Sequence, residues 1–240
     1  MQTETLGGLR CHDYHQLPEG ATPELCVVLC HGFGAPGTDL VGLAPEILLR
    51  RPQLADTASF YFPEAPLSLE PMGMPGGRAW WMLDVAKLNA AITTGEFRDL
   101  RNDHPEELPA ARAQLTALID EVRRRTGLPM SRIVMGGFSQ GSMLSIDVAL
   151  RLPEPPALLT VFSGTLLGED DWRERAADRG PMTVLQSHGD EDMILPFQAA
   201  EWLRDLFVDS GFDVEFIPFH GPHTIPAKAL HRLADRLAEL

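Results

Sequence analysis

Gly137-Phe138-Ser139-Gln140-Gly141 is the stretch whose reading decides the fold. Ahead of it, Ser131-Arg132-Ile133-Val134-Met135-Gly136 reads as a short apolar strand. Behind it, Ser142 to Leu150 reads as a helix, with apolar residues at 143, 144, 146, 148, 149 and 150. A strand that turns sharply into a helix holds the central residue of Gly-x-Ser-x-Gly in a strained conformation, and the flanking glycines let the two elements pass closely. The serine oxygen then stands at a helix N-terminus, where orphan N–H groups and the helix dipole favour developing negative charge. Taken alone, the five residues could be a glycine-rich turn with an incidental serine. The strand–turn–helix context favours a nucleophile.

Upstream, Leu25-Cys26-Val27-Val28-Leu29-Cys30 is a continuous apolar run, as expected for a strand buried on both faces of a parallel sheet. It ends in His31-Gly32-Phe33-Gly34-Ala35-Pro36-Gly37, where glycines allow backbone N–H groups to be aimed at a ligand. Gly32, Gly34 and Gly37 fit the dinucleotide spacing Gly-x-Gly-x-x-Gly, but no acidic partner ends the next strand. A loop that binds an oxyanion through Phe33 N–H fits better with a serine nucleophile. Asp39 to Arg50 reads as a helix and Thr57 to Phe62 as a strand. Glu64 to Arg78 is too rich in proline and glycine for regular structure. It carries Met72 and Met74 and leads into Trp80-Trp81, residues that suit the adaptable wall of an apolar pocket or, for the tryptophans, simple core.

Leu6 to His15 reads as one polar edge strand. Val85 to Pro105 resists assignment, and Glu96 to Glu107 is charge-rich and expected to be solvated. Leu108 to Arg125 predicts an amphipathic helix through Leu115, Leu118, Ile119 and Val122, with Gly127 as its stop. Strands follow at 157–162, 182–186 and 213–219, and helices at 169–179, 197–210 and 225–240. This alternation predicts an α/β fold: one domain over 1–240, with a mostly parallel central sheet flanked by helices on both faces.

The balance of 20 basic against 34 acidic residues gives a net charge of −14. That argues against nucleic acid and against anionic lipid surfaces as partners. Cys11, Cys26 and Cys30 suggest small core residues of a reduced chain rather than a disulfide framework. The N-terminus lacks the charge and apolar stretch of a signal peptide, and no apolar run reaches the roughly 18 residues of a membrane span. A cytoplasmic location is expected, without integral membrane association. Cys11, His12, Asp13 and His15 match no standard metal spacing, and neither a metal nor another cofactor is called for.

A serine hydroxyl needs a base within hydrogen-bond reach, and the base needs a carboxylate. In a parallel sheet these come from loops at the carboxyl ends of strands. The loop after strand 182–186 offers Asp190, Glu191 and Asp192; the loop after the last strand offers His220 and His223. Asp170 and Asp171 follow an earlier strand and are weaker candidates. The order Ser…Asp…His results, with Asp190 against Asp192 and His220 against His223 left open.

In these motifs the chain resembles the phospholipase/carboxylesterase family of α/β-hydrolases, which includes bacterial carboxylesterases and acyl-protein thioesterases. The matching residues are Leu29 to Gly34, Gly137 to Gly141, His188-Gly189-Asp190-Glu191-Asp192 with Pro196, and Gly221-Pro222-His223. The resemblance implies a single α/β-hydrolase domain with Ser139 as nucleophile, Asp192 as acid and His223 as base. It also implies an oxyanion hole from the Phe33 and Gln140 N–H groups, and a substrate-binding segment at 63–83 that includes Met72, Met74, Trp80 and Trp81. The first loop and the Met-, Pro- and Gly-rich segment depart from the family's thioesterase pattern. The expected activity is hydrolysis of a small carboxylic ester or thioester through an acyl-enzyme. A lysophospholipase or acyl-protein thioesterase on the same scaffold is the alternative, and a hydrolase-fold binding protein without activity is disfavoured because all three triad positions are present. Homodimers occur in the family.

Overall fold

The computed structural model describes residues 1–94 and 97–240. Eight strands form one sheet: β1 (Gln2–Leu6), β2 (Leu9–His15), β3 (Leu25–Cys30), β4 (Ala58–Pro63), and, after a separate pair, β7 (Ile133–Phe138), β8 (Leu158–Phe162), β9 (Thr183–Gly189) and β10 (Asp213–Phe219). The separate pair is β5 (Leu67–Ser68) with β6 (Arg78–Ala79), joined antiparallel. The sheet order is β1-β2-β4-β3-β7-β8-β9-β10. All neighbours from β4 to β10 are parallel, and β1 and β2 add an antiparallel edge. The helices are α1 (Leu43–Arg50), α2 (Val85–Thr94), α3 (Leu108–Thr126), α4 (Gln140–Ala149), α5 (Glu169–Arg179), α6 (Phe197–Asp209) and α7 (Ala227–Leu237).

The period of two along each strand divides the core into two layers. Cys26, Val28 and Cys30 of β3, with Ile133 and Met135 of β7, face a layer shared with α3, α4, α5 and α6. Leu25, Val27 and Leu29, with Val134, face the layer of α1 and α7. Helices therefore cover both faces. This is why the central strands read as unbroken apolar runs, with every residue of β3, β4 and β8 buried.

Three expectations change. The single strand expected over 6–15 is a hairpin: Leu6 pairs with Leu9, and Gly7 (φ 56°) and Gly8 (φ 84°) supply the two positive φ angles of a tight turn. The segment 64–78 is not wholly irregular, since Leu67–Ser68 and Arg78–Ala79 pair around a short 3-10 turn. The unassigned run after Leu83 contains α2, and α2 with the loop beyond it borders the cleft described below. Glu96, the start of the charge-rich run, and Gly95 lie outside the described residues.

The helix behind the serine is anchored by Asp147, a fully buried carboxylate. It accepts hydrogen bonds from Arg112 Nε of α3 at 2.5 Å, from Arg151 Nη1 at 2.6 Å and from Trp172 Nε1 of α5 at 3.1 Å. A buried carboxylate is tolerated only when it is satisfied in this way.

Candidate active site

Ser139 occupies the junction of β7 and α4 with φ 53° and ψ −121°. A non-glycine residue at positive φ is costly, and the neighbours must hold it there. Here they do so by proximity: a side chain at Gly137 or at Gly141 would collide with the carbonyl oxygen of Cys30, the last residue of β3. The elbow is thereby pressed against the loop that follows β3. Ser139 N–H donates to Phe162 O at 2.8 Å, which ties the turn to β8.

Asp192 lies beyond the end of β9 and His223 beyond the end of β10. His223 Nδ1 donates to Asp192 Oδ2 at 2.6 Å; the side chains are 12% and 0% exposed. The rival pair, His220 and Asp190, meets at 3.2 Å with side chains 79% and 48% exposed. The sequence left these pairings open, and packing separates them: one pair is enclosed, the other solvated. A carboxylate acceptor fixes the proton on Nδ1. Among the described residues the His223 ring makes no other hydrogen bond, so Nε2 keeps a lone pair for the cleft.

Asp192 holds three hydrogen bonds and has a fourth polar neighbour in His188. Ile194 N–H and Leu195 N–H each donate to Oδ1 at 2.8 Å, while His223 Nδ1 and His188 Nε2 approach Oδ2 at 2.6 and 3.2 Å. Burial pushes its acidity toward the neutral form. The N–H groups of the two histidines, the charge of His223 and the Leu195 amide outweigh burial, and the carboxyl is held well below the usual carboxylate range.

Opposite the elbow lies the loop after β3. Gln140 is the first residue of α4, so its N–H has no acceptor within the helix. Phe33 N–H has no partner among the described residues, whereas its neighbour Gly34 donates to Arg78 O at 2.9 Å. Arg78 N–H returns a bond to Ala35 O at 3.1 Å, which pins the loop to β6. His31, buried at the loop's start, donates from Nδ1 to Gly32 O at 2.8 Å and accepts Ala65 N–H at Nε2 at 3.1 Å. Burial pushes the pKa of this imidazole down, which suits a neutral ring with one donor and one acceptor.

A cleft of about 900 Å³ opens over Ser139, lined also by Phe33, Gln140 and His223. Trp81 is part of its wall; Met72, Met74 and Trp80 are not. Met72 is exposed, and Met74 lies against Gly34. Trp80 is fully buried, with Nε1–H donating to His31 O at 2.9 Å and N–H donating to Gln140 Oε1 at 2.9 Å. The segment 64–80 thus braces the loop of Phe33.

The far wall comes from residues the sequence left unassigned or solvated: Leu88 of α2, Phe97, Arg98 and Leu100, and the acidic rim Asp99, Asp103, Glu106 and Glu107. Arg98 Nη1 donates to Ile194 O at 3.2 Å, joining this wall to the Asp192 loop, and burial pushes its pKa down. Two further roles escaped sequence reasoning. Gln140 clamps the wall through its side chain, donating from Nε2 to Trp81 O at 2.8 Å. Ser163, at φ 49°, is one of only two described non-glycine residues at positive φ, with Ser139; its Oγ donates to Thr224 O at 3.0 Å, beside His223. A serine directly after a buried strand was the one available sign.

Comparison with known proteins identifies the family. The family model for phospholipase/carboxylesterase matches residues 17–240. Acyl-protein thioesterase 1 of Eremothecium gossypii is 34% identical over 184 residues, covering 75% of this chain and 71% of that protein. Acyl-protein thioesterase 1 of Neurospora crassa is 25% identical, covering 93% and 89%. Among solved structures, esterase PE8 superposes with a TM-score of 0.77 at 28% identity, covering 95% of this chain and 97% of that one. A carboxylesterase from Mesorhizobium loti shares the fold, with a TM-score of 0.71 at 18% identity over the whole of both chains. The chain belongs to the phospholipase/carboxylesterase family of α/β-hydrolases.

Proposed function

We propose that this chain is a serine carboxylesterase that hydrolyses carboxylic esters or thioesters through an acyl-enzyme on Ser139. The observation that carries the reading is the enclosed His223–Asp192 pair at 2.6 Å, bordering the same cleft as a serine held at positive φ. His223 Nε2 takes the Ser139 proton as Oγ attacks the carbonyl carbon. The carbonyl oxygen becomes an oxyanion facing the N–H groups of Phe33 and Gln140, each worth roughly 3 kcal/mol of transition-state stabilisation. The tetrahedral intermediate expels the alcohol or thiol, which leaves with the proton from His223. Water, deprotonated by His223, then attacks the acyl-enzyme and releases the acid. Asp192 holds the imidazole in the Nδ1–H tautomer and stabilises its cation throughout.

The cleft wall of Trp81, Leu88, Phe97, Met143, Leu167 and Ile194 suits an apolar acyl group. A thioesterase acting on acylated proteins is the second reading, favoured by the extended similarity to acyl-protein thioesterases. No helix among the described residues is long and apolar enough to cross a membrane. Three buried free thiols support a reducing, cytoplasmic location. The small ester or thioester is the partner required by the chemistry; a homodimer enters only through the family resemblance, and sedimentation velocity separates it from a monomer.

Turnover of p-nitrophenyl esters and acyl thioesters of graded chain length tests the reading. Hydrolysis of at least one class is expected, with Ser139→Ala inactive and its circular dichroism unchanged. Full activity in Ser139→Ala overturns it.

A further inference from the structure

We propose that His188 is a positioning residue for the acid of the triad, its Nε2–H donating to Leu195 O and standing beside Asp192 Oδ2, so that it holds the 192–195 loop and the carboxylate in register. The inference rests on the triad reading above and extends it to a residue outside the triad. His188 belongs to β9 and is 0% exposed. Its Nε2 lies 2.8 Å from Leu195 O and 3.2 Å from Asp192 Oδ2. Both are acceptors, so the nitrogen between them carries the proton. Nδ1 is buried with no partner among the described residues, and a proton there would gain nothing. The ring is fixed in place by its edge-on contact with Phe197, at a centroid separation of 6.2 Å and an interplanar angle of 63°.

The backbone carbonyl therefore selects the tautomer, and the same N–H stands beside the carboxylate. Oδ2 accepts from His223 and lies 3.2 Å from His188 Nε2. Oδ1 has the amides of Ile194 and Leu195. Rotation of the carboxylate would break bonds on both oxygens. The other charged groups near this loop are Asp190 and Glu191, both exposed and paired with His220, and Arg98, whose Nη1 is bound to Ile194 O.

Two effects follow for the reaction. The carboxylate is held in line with His223 Nδ1, which favours turnover. The His188 N–H dipole beside Oδ2 also draws electron density from it, which moderates how strongly Asp192 stabilises the His223 cation. Removing the His188 N–H should lower kcat about ten- to hundredfold, the equivalent of one lost buried hydrogen bond, with KM little changed. It should also move the acid limb of the kcat/KM profile to higher pH.

His188→Phe keeps a ring against Phe197 and removes the donor. His188→Gln can place an N–H at similar reach. The expected result is a displaced limb and reduced kcat in His188→Phe, with the limb returned toward the original in His188→Gln. Active-site titration with a fluorophosphonate counts competent Ser139 in each sample, so loss of folded protein, or failure of the triad reading itself, is distinguished from displacement of the limb. Superimposable profiles in all three proteins overturn the proposal. A measurement on the unaltered protein stands beside these: 15N histidine NMR should find His188 as the neutral Nε2–H tautomer, and an Nδ1–H tautomer overturns the proposal equally.

Discussion

Asp192 Oδ2 lies 2.6 Å from His223 Nδ1 with the carboxylate out of solvent, while Asp190, two residues earlier, meets His220 in the open. The difference is one of environment rather than residue type. In low dielectric a charge-assisted hydrogen bond fixes both partners, whereas the solvated pair is screened and mobile. Asp192→Asn should therefore lower kcat by about four orders of magnitude, the scale at which a wrong imidazole tautomer disables a serine triad. Asp190→Asn should change kcat less than about threefold. Steady-state kinetics on the two variants reads the ratio, and the opposite ranking would show that the exposed pair serves the reaction.

The depressed acidity of Asp192 has a consequence for stability. A carboxyl whose folded pKa lies below its unfolded value of about 3.9 contributes stability that is fully present above that value and lost as pH falls through the folded one. Urea denaturation between pH 6 and pH 3 should show the native protein losing this contribution below about pH 4. Asp192→Asn, less stable at pH 6, should converge on it as the pH falls. Parallel curves for the two proteins would contradict the coupling.

Trp81 lines the cleft and Met72 does not, so their substitutions should separate. Trp81→Phe removes apolar contact area from the cleft wall proposed to hold the acyl group. It should raise KM for p-nitrophenyl octanoate by about three- to tenfold, given roughly 0.8 kcal/mol per methylene left without contact, and affect the acetate less. Met72→Ala should leave both within about twofold, since exposed side chains away from a site contribute little. Equal effects from the two substitutions would return the methionine segment to the substrate wall.

Gln140 links the nucleophile helix to the cleft wall by accepting Trp80 N–H and donating to Trp81 O. Gln140→Ala and Gln140→Met both leave these buried backbone groups unpaired, at about 1–3 kcal/mol each. Urea denaturation should find comparable losses in the two variants. If the methionine variant were as stable as the unaltered protein, side-chain volume rather than hydrogen bonding would be what Gln140 supplies.

The central strands and the serine elbow were legible because their signals are local. A doubly buried parallel strand needs an apolar run, and a tight strand-to-helix turn needs small neighbours; Leu25–Cys30 and Gly137–Gly141 supply both. The choice between Asp190 and Asp192 was legible only through the family resemblance, which implied Asp192, and not from local chemistry, because it depends on which carboxylate the loop after β10 encloses. Trp80 and Trp81 are adjacent and alike in sequence. Both are buried, and what separates them is that Trp80 is bonded to the His31 carbonyl and the Gln140 side chain while Trp81 also borders the cleft. The wall around Arg98 was missed for a related reason: a polar loop becomes a cleft wall only through a distant contact, here with Ile194 O. The hairpin of β1 and β2 had a readable signal in Gly7-Gly8 that a single-strand reading passed over.

Covalent labelling tests most directly the proposal that Ser139 is the nucleophile. After reaction with a fluorophosphonate, peptide mass mapping should find one adduct per chain, on Ser139. The adduct should be absent from Ser139→Ala and present in Ser142→Ala and Ser145→Ala, whose hydroxyls are buried and bound to backbone carbonyls. A stoichiometric adduct on another residue, or undiminished labelling of Ser139→Ala, would contradict it.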